Sequence, residues 1–152
     1  VHELRPITVA EMEAQASPLL AAHWDEVEGK GSLSVNWDRY RELEDLGLVL
    51  GQGAYIGDTL VGYCSLTLGL HLHDREARPA KIDALYVAPA HRKGRIGLDL
   101  VTWALLTAAE LGATEIAAHG RRGSPACRLY ELLGFDERET VYVKGVSNGV
   151  RG

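Results

Sequence analysis

The stretch LYVAPAHRKGRIGLDLV, residues 85–101, constrains the fold more than any other part of this chain. A β-prone run ends at Val87, Ala88 and Pro89. The chain then turns through Gly94, with Arg92, Lys93 and Arg95 around it, passes Gly97 and enters an apolar, helix-forming segment. A strand that feeds straight into a helix, followed by another strand, implies one parallel strand-helix-strand unit. The first N–H groups of such a helix have no intrahelical acceptor, so together with the basic side chains they offer a seat for a phosphate. Taken alone, the pattern is short and fits a solvated basic turn equally well.

Around this unit the period of apolar residues changes several times. ELRPIT reads as a short first strand, and VAEMEAQASPLLAAHWDEV as an acidic amphipathic stretch that Ser17 and Pro18 divide or kink. GKGSLS, residues 29–34, reads as a loop. Asn36 is placed to cap a helix over WDRYRELEDLG that Gly47 stops. In AYIGDTLVGYCSLTL, Gly57 and Asp58 lie between two β-prone runs, the mark of an antiparallel hairpin. KIDALYVAP is the strand that feeds the basic loop, and the helix after Gly94 ends at Gly112. TEIAAHG then gives a strand, SPACRLYELLG a short helix with Ser124 as cap and Pro125 at its first position, and FDERETVYVK a last strand. The expected fold is α+β: a single domain over residues 1–145, with a mixed central sheet flanked by about four helices and a tail over residues 146–152.

At 152 residues, 46% hydrophobic and 24% charged, the chain has the balance of an ordinary soluble domain. It holds no apolar stretch long enough to span a bilayer, and VHELRPITVAEME is acidic where a signal peptide is apolar, so a cytoplasmic location is expected. A formal net charge of -5 argues against binding to the nucleic-acid backbone as the main activity. Cys64 and Cys127 are too few for a disulfide framework, and no CxxC pair suggests zinc. Yet six of the 16 Lys and Arg residues fall on two loops: Arg92, Lys93 and Arg95 on one, Arg121, Arg122 and Arg128 on the other. A parallel unit brings these loops to the same end of the sheet, which suits a phosphate-rich ligand there.

With these features, LYVAPAHRKGRIGLDLV followed by ACRLYELLGF resembles the GNAT superfamily of acyl-CoA-dependent N-acyltransferases. The signature of that superfamily is a strand, an Arg/Gln-x-x-Gly-x-Gly/Ala loop opening a helix, and a later Leu-Tyr-x-x-x-Gly-Phe segment. Element order matches over nearly the whole chain, and specific residues match from about 82 to 135. Arg92 takes the first place of the loop pattern and Gly97 the last. Arg95 stands where the middle glycine is usual, and Gly94 lies one residue early. HWDEV, HLHD and HRKG together also resemble a group of bacteriophage-encoded acetyltransferases.

The resemblance implies an acetyl group passed from acetyl-CoA to a primary amine by direct attack. It implies that Leu85, Tyr86 and Val87 hold the pantetheine arm, with the Val87 N–H at the thioester oxygen. Arg92, Lys93, Gly94, Arg95, Ile96 and Gly97 would hold the pyrophosphate, with Ser124 at the neighbouring helix start. Tyr130 matches the family's acid, and Asp83 takes the strand position of its base. A homodimer is a common state in the resembling family.

The residues themselves leave alternatives. Alternation predicts Asp83 on the strand face of Leu85 and Val87, where a carboxylate is either paired or functional. His71 and His73 share one strand face by the same rule, and His23 and Glu26 one helix side. With Asp83 these groups could grip an amine, hold zinc, or be packing and surface histidines, as could His119. The catalytic candidates are Tyr130, Asp83, His73 and Glu26, and no metal is expected. The acidic residues Glu11, Glu13, Asp25, Glu26, Glu28, Glu42, Glu44 and Asp45 read as a solvated helix face, or as the border of a groove for a cationic amine. That amine could be polyamine-like, aminoglycoside-like or a protein lysine. Two rival readings stand beside this one: a non-catalytic acyl-CoA or partner-binding module, favoured by Arg95 and Gly123, and a metal-dependent hydrolase built on the histidines.

Overall fold

In the computed structural model, which describes residues 1–28 and 31–147, five strands form one sheet in the order β1-β2-β3-β4-β5. They are β1 (Glu3–Pro6), β2 (Val49–Ile56), β3 (Thr59–Leu68), β4 (Pro79–Val87) and β5 (Glu115–Ala118). Neighbours pair antiparallel from β1 to β4, and β4 pairs parallel with β5. Helices α1 (Val9–Gln15), α2 (Ser17–Val27) and α3 (Trp37–Asp45) lie between β1 and β2 in the chain. Between β4 and β5 runs α4 (Ile96–Glu110), and α5 (Pro125–Leu132) follows β5. Residues 29 and 30 of the expected GKGSLS loop, and the end of the expected tail, lie outside the described residues.

Local chemistry sets most of these boundaries. Thr8 and Glu11 form a reciprocal capping box at the start of α1, and Ala16 separates it from α2, which opens on Pro18. The first acidic stretch is therefore two helices, which makes five around the sheet. Asn36 Oδ1 accepts from the Arg39 N–H at 3.1 Å to start α3. Gly47 and Gly112, at φ 70° and 79°, let the chain leave α3 and α4 in the left-handed region that side chains avoid.

One face of the sheet carries the main core. Ile96, Leu100, Val101, Ala104 and Ala108 form a stripe along α4 that packs on Cys64, Leu66, Ala80 and Ile82. Each fully buried Leu or Val in such a stripe contributes about 1.5–3 kcal/mol. Tyr130, Leu129 and Leu133 of α5 join the same cluster. Against the other face lie α1 to α3: His23 of α2 stacks on Tyr86, and Tyr40 of α3 reaches Asp83.

Three expectations need correction. FDERETVYVK is not a strand: no described residue pairs with it, and Val141, Tyr142 and Val143 are 60%, 91% and 89% exposed. Phe135 packs beside Tyr130, but the β-prone residues after it pair with neither outer strand, and propensity alone does not hold a strand. His71 and His73 share no strand face, because β3 ends at Leu68 and both lie in the loop over residues 69–78. There Asp74 forms a local turn, its Oδ1 accepting from the Glu76 N–H at 3.0 Å and its carbonyl from the Ala77 N–H at 3.3 Å. Finally, Asp83 does not follow Leu85 and Val87. The register jumps from Ser65↔Ala84 to Leu66↔Ile82, so Asp83 is the extra residue of a β-bulge and turns toward α3.

Candidate active site

The site begins where β4 and β5 part. Their ladder runs from Pro79↔Glu115 to Ile82↔Ala118, and β4 continues alone to Val87. The Ala88 N–H donates to the Val61 carbonyl at 2.9 Å, which sets the alternation of the β3-β4 ladder. By that alternation Tyr86 turns its main chain to β3, whereas Leu85 and Val87 turn theirs to the open edge. Such an edge can hydrogen-bond an extended, amide-bearing chain. The Tyr86 ring is buried instead against His23, with ring centroids 4.8 Å apart, and near Tyr63 at 6.0 Å.

Beyond Val87 comes a single 3₁₀ turn, Pro89–His91, then the basic loop and α4. Among the described residues, none accepts a hydrogen bond from the main-chain N–H groups of residues 93 to 98. Six successive donors at the positive end of a 15-residue helix form a strong anion seat. The Arg95 side chain points away from it, 73% exposed and 3.7 Å from Asp99. Gly94 has no positive φ, and a Cβ there would meet no heavy atom within 4 Å. Neither strain nor packing in the protein accounts for a glycine at this position, but close approach of a ligand to the loop does. The loop and the β4 edge thus fit acetyl-CoA, a pyrophosphate joined to an amide-rich arm.

Arg92 is committed within the protein. Its two terminal nitrogens each lie 2.7 Å from a Glu26 oxygen, and its Nε donates to the Val87 carbonyl at 2.7 Å. Its guanidinium also lies over the Tyr86 ring, 5.2 Å from the centroid. This fork ties α2 to the end of β4. The hydrogen bond from Arg92 holds the Glu26 carboxyl below its usual range.

Between α1 to α3 and the sheet lies a cavity of about 340 Å³, with Asp83 on its wall beside the open edge. Asp83 Oδ2 accepts from the Tyr40 hydroxyl at 2.6 Å and the Ser65 hydroxyl at 3.2 Å. Burial, helped by Asp83, pushes the Tyr40 phenol above its usual range, so Tyr40 remains a donor. His23 and Tyr63 line the same cavity, with His23 Nδ1 2.6 Å from the Tyr63 oxygen. Burial holds His23 below its ordinary value, with the Arg92 charge acting the same way and Glu26 opposing. The neutral imidazole is therefore favoured, and its free nitrogen can carry or take a proton.

Tyr130 is 7% exposed and sits in the apolar cluster that includes Val87. Its hydroxyl has no hydrogen-bond partner among the described residues, yet no fully buried side-chain polar atom among them lacks one. The oxygen therefore reaches an accessible surface. Burial first, then Cys64 and Cys127, raise the phenol above its usual range, which keeps the proton on it. Burial also pushes the Cys64 thiol up to about 12, leaving it an inert packing group. Ser124 precedes α5 but makes no side-chain cap, and its hydroxyl lies 3.5 Å from Cys127 Sγ.

The structure therefore gathers Asp83 in the cavity, Leu85 and Val87 on the open edge, and residues 93 to 97 in the loop. Glu26 is drawn into its pair with Arg92, and His73 lies exposed in the loop after β3, its N–H donating to His71 Nδ1 at 3.1 Å. His119 is exposed after β5. Among the described residues, no group of three or more His, Cys, Asp or Glu could hold a metal ion. Tyr40, Tyr63 and Ser65 were not legible as site residues. Only the alternation of Tyr63 and Ser65 about Cys64 hinted that those two share a face.

The family model described as acetyltransferase (GNAT) family matches residues 11–135. No curated protein matches the chain in sequence. Among solved structures, an aminoglycoside acetyltransferase from an uncultured soil metagenomic sample is 21% identical with a TM-score of 0.76, covering 97% of this chain and 99% of its own. A ribosomal-protein-alanine N-acetyltransferase from Brucella melitensis biovar Abortus 2308 is 18% identical with a TM-score of 0.74, at 97% and 100% coverage. A predicted acetyltransferase from Clostridium acetobutylicum, solved with acetyl-CoA, is 12% identical with a TM-score of 0.75, at 95% and 96% coverage. These likenesses establish the shared fold, and the family match covers both the open β4 edge and the α4 loop. The chain belongs to the acetyltransferase (GNAT) family, enzymes that take their acetyl group from acetyl-CoA.

Proposed function

We propose that this chain transfers an acetyl group from acetyl-CoA to a primary amine that arrives as a cation beside Asp83. The observation that carries this reading is the placement of three features along one strand and its exit: Asp83 on the cavity wall, the main-chain edge at Leu85 and Val87 left open by β5, and the six N–H groups that follow without an acceptor among the described residues. Acetyl-CoA supplies an acyl group activated as a thioester. The N–H groups of residues 93 to 98 hold its phosphates, and the main chain of Leu85 hydrogen-bonds its amide-rich arm. The Val87 N–H faces the thioester oxygen, where a fixed donor stabilises charge as it develops. Arg92, locked to Glu26, positions the loop rather than reaching the ligand, which makes Glu26 a positioning residue.

Asp83 attracts the ammonium and takes its proton, directly or through one water, freeing the nitrogen lone pair for attack on the carbonyl carbon. Tyr40 and Ser65 fix the carboxylate, and the neutral His23 with Tyr63 borders the same space. As the carbon–sulfur bond breaks, the Tyr130 hydroxyl protonates the leaving sulfur, and the second proton shed by the acylated nitrogen returns the phenolate to its hydroxyl form. Positioned acid or base groups of this kind typically contribute about 10²–10⁴-fold.

The test is continuous thiol release with primary amines, read beside calorimetric binding of acetyl-CoA. In Asp83→Asn, kcat should fall at least tenfold while acetyl-CoA affinity stays within twofold. Equal loss of rate and acetyl-CoA affinity would show that Asp83 supports the donor site and not the amine.

A further inference from the structure

Several acidic side chains of the first helices are held by partners within the protein. Glu13 pairs with Arg41 at 2.6 Å, Glu26 with Arg92 at 2.7 Å, Glu28 with Arg121 at 3.7 Å and Glu42 with Arg39 at 2.9 Å. Glu44 accepts from the Val9 N–H at 2.8 Å, and Glu11 from the Thr8 N–H at 3.2 Å. Three carboxylates line the cavity: Glu28, Glu44 and Asp83. Glu28 already faces an arginine and Glu44 a main-chain donor, whereas Asp83 is held only by neutral hydroxyls. A polar acceptor body carrying further positive charges would lose its hydration against the apolar part of the cavity wall on entering.

Apart from Thr8, His23, Ser65 and the tyrosine hydroxyls, the rest of the wall is mostly apolar. Met12 and Leu20 come from α1 and α2, Trp24 from α2, Leu33 and Val35 from the segment before α3, and Trp37 from its first turn. Tyr40, whose ring lies 5.9 Å from that of Trp37, completes an aromatic side. Large apolar walls with one polar anchor are how small-molecule sites select a shape and an orientation.

The geometry points to a specific acceptor class: a small primary monoamine joined by a short alkyl link to a flat apolar ring. The ring fills the space between Trp24, Leu33 and Trp37, and the single ammonium reaches Asp83. This rests on the acetyl-transfer reading above. Polyamines and aminoglycosides, which carry several charges on a polar body, are the classes this wall disfavours.

Thiol release and calorimetric binding with phenethylamine, tryptamine, putrescine and kanamycin test the inference. The kcat/KM for phenethylamine or tryptamine should exceed that for putrescine and kanamycin at least tenfold. Leu33→Glu adds a carboxylate to the apolar wall and should move the phenethylamine-to-putrescine ratio at least tenfold toward putrescine. If Leu33→Glu does not fold, Trp37→Leu should raise KM for tryptamine at least fivefold while kcat stays within threefold. Thiol release favouring putrescine or kanamycin would overturn the inference and leave acetyl transfer to amines standing. Binding of phenethylamine without thiol release from any amine would support the apolar amine site and overturn the transfer reading. Neither binding nor release of any kind would overturn both, and an unchanged ratio in Leu33→Glu, or an unchanged KM in Trp37→Leu, would overturn the assignment of the wall.

Discussion

Replacing Gly94 by Ala separates what the basic loop does for the fold from what it does for its ligand. Gly94 has no positive φ, and the added Cβ would meet no heavy atom within 4 Å, so neither strain nor collision opposes the change. Reducing the freedom of the unfolded chain should then stabilise the protein by about 0.4–1 kcal/mol. The same methyl group stands among the N–H donors of residues 93 to 98, where a phosphate oxygen must come to about 2.9 Å of a nitrogen to bond well. Losing or stretching one hydrogen bond to a charged group costs about 1.5–3 kcal/mol. In affinity that is roughly ten- to hundredfold. Urea unfolding followed by tryptophan fluorescence and calorimetric titration with CoA read the two effects separately. The expected result is a midpoint equal to or above that of the unsubstituted protein, with CoA bound at least tenfold more weakly. Unchanged CoA affinity would refute the reasoning that the main chain of this loop carries the phosphates, and a loss of more than about 1 kcal/mol in stability would refute the reading of open space.

Further predictions address the supports of the site. Glu26→Gln should cost only about 0.5–1 kcal/mol, because the Glu26 and Arg92 side chains are 46% and 33% exposed and solvent screens the pair. Glu26 is held below its usual 4.5, so its contribution is present above that pH and fades as pH falls through the lower folded value; Glu26→Gln should flatten this acid-side slope in urea unfolding. His23 lies below its ordinary 6.5, so stability falls as pH drops from there toward the folded value and then levels. An imidazole titration by NMR with a midpoint above 6.5 would contradict the burial argument. Gly62→Ala would place a Cβ 2.9 Å from the Tyr86 carbonyl oxygen and 3.4 Å from the Val87 Cα, forcing β3 and β4 apart. Thermal or urea unfolding should show a loss of about 1–3 kcal/mol.

Features governed by neighbours along the chain were legible in the sequence. Asn36, the Gly57 and Asp58 turn, Gly112 and the run from Leu85 to Gly97 act within a few residues, and each stands where the sequence put it. Asp83 was misplaced because a bulge belongs to two strands at once: only the pairing with Ser65 and Leu66 shows that residue 83 is extra. His71 and His73 continue the alternation of β3, yet the turn built by Asp74 outweighs it. FDERETVYVK has the composition of a strand, yet it pairs with no described strand, and composition does not report pairing. Pairs such as Glu13 with Arg41 and Glu28 with Arg121 span 28 and 93 positions, so a linear reading could not match the acidic residues of α1 to α3 to their partners. For the same reason the cavity was invisible, since Met12, Leu33, Trp37 and Asp83 meet only after the helices cross the sheet.

Incubation of the purified chain with acetyl-CoA and a primary arylalkylamine, followed by mass spectrometry of the small molecules, tests the central claim most directly. The amine should gain one acetyl group, with free CoA formed in equal amount and the product nearly absent in Asp83→Asn. Free CoA without an acetylated amine, or the same yield from Asp83→Asn, would contradict it.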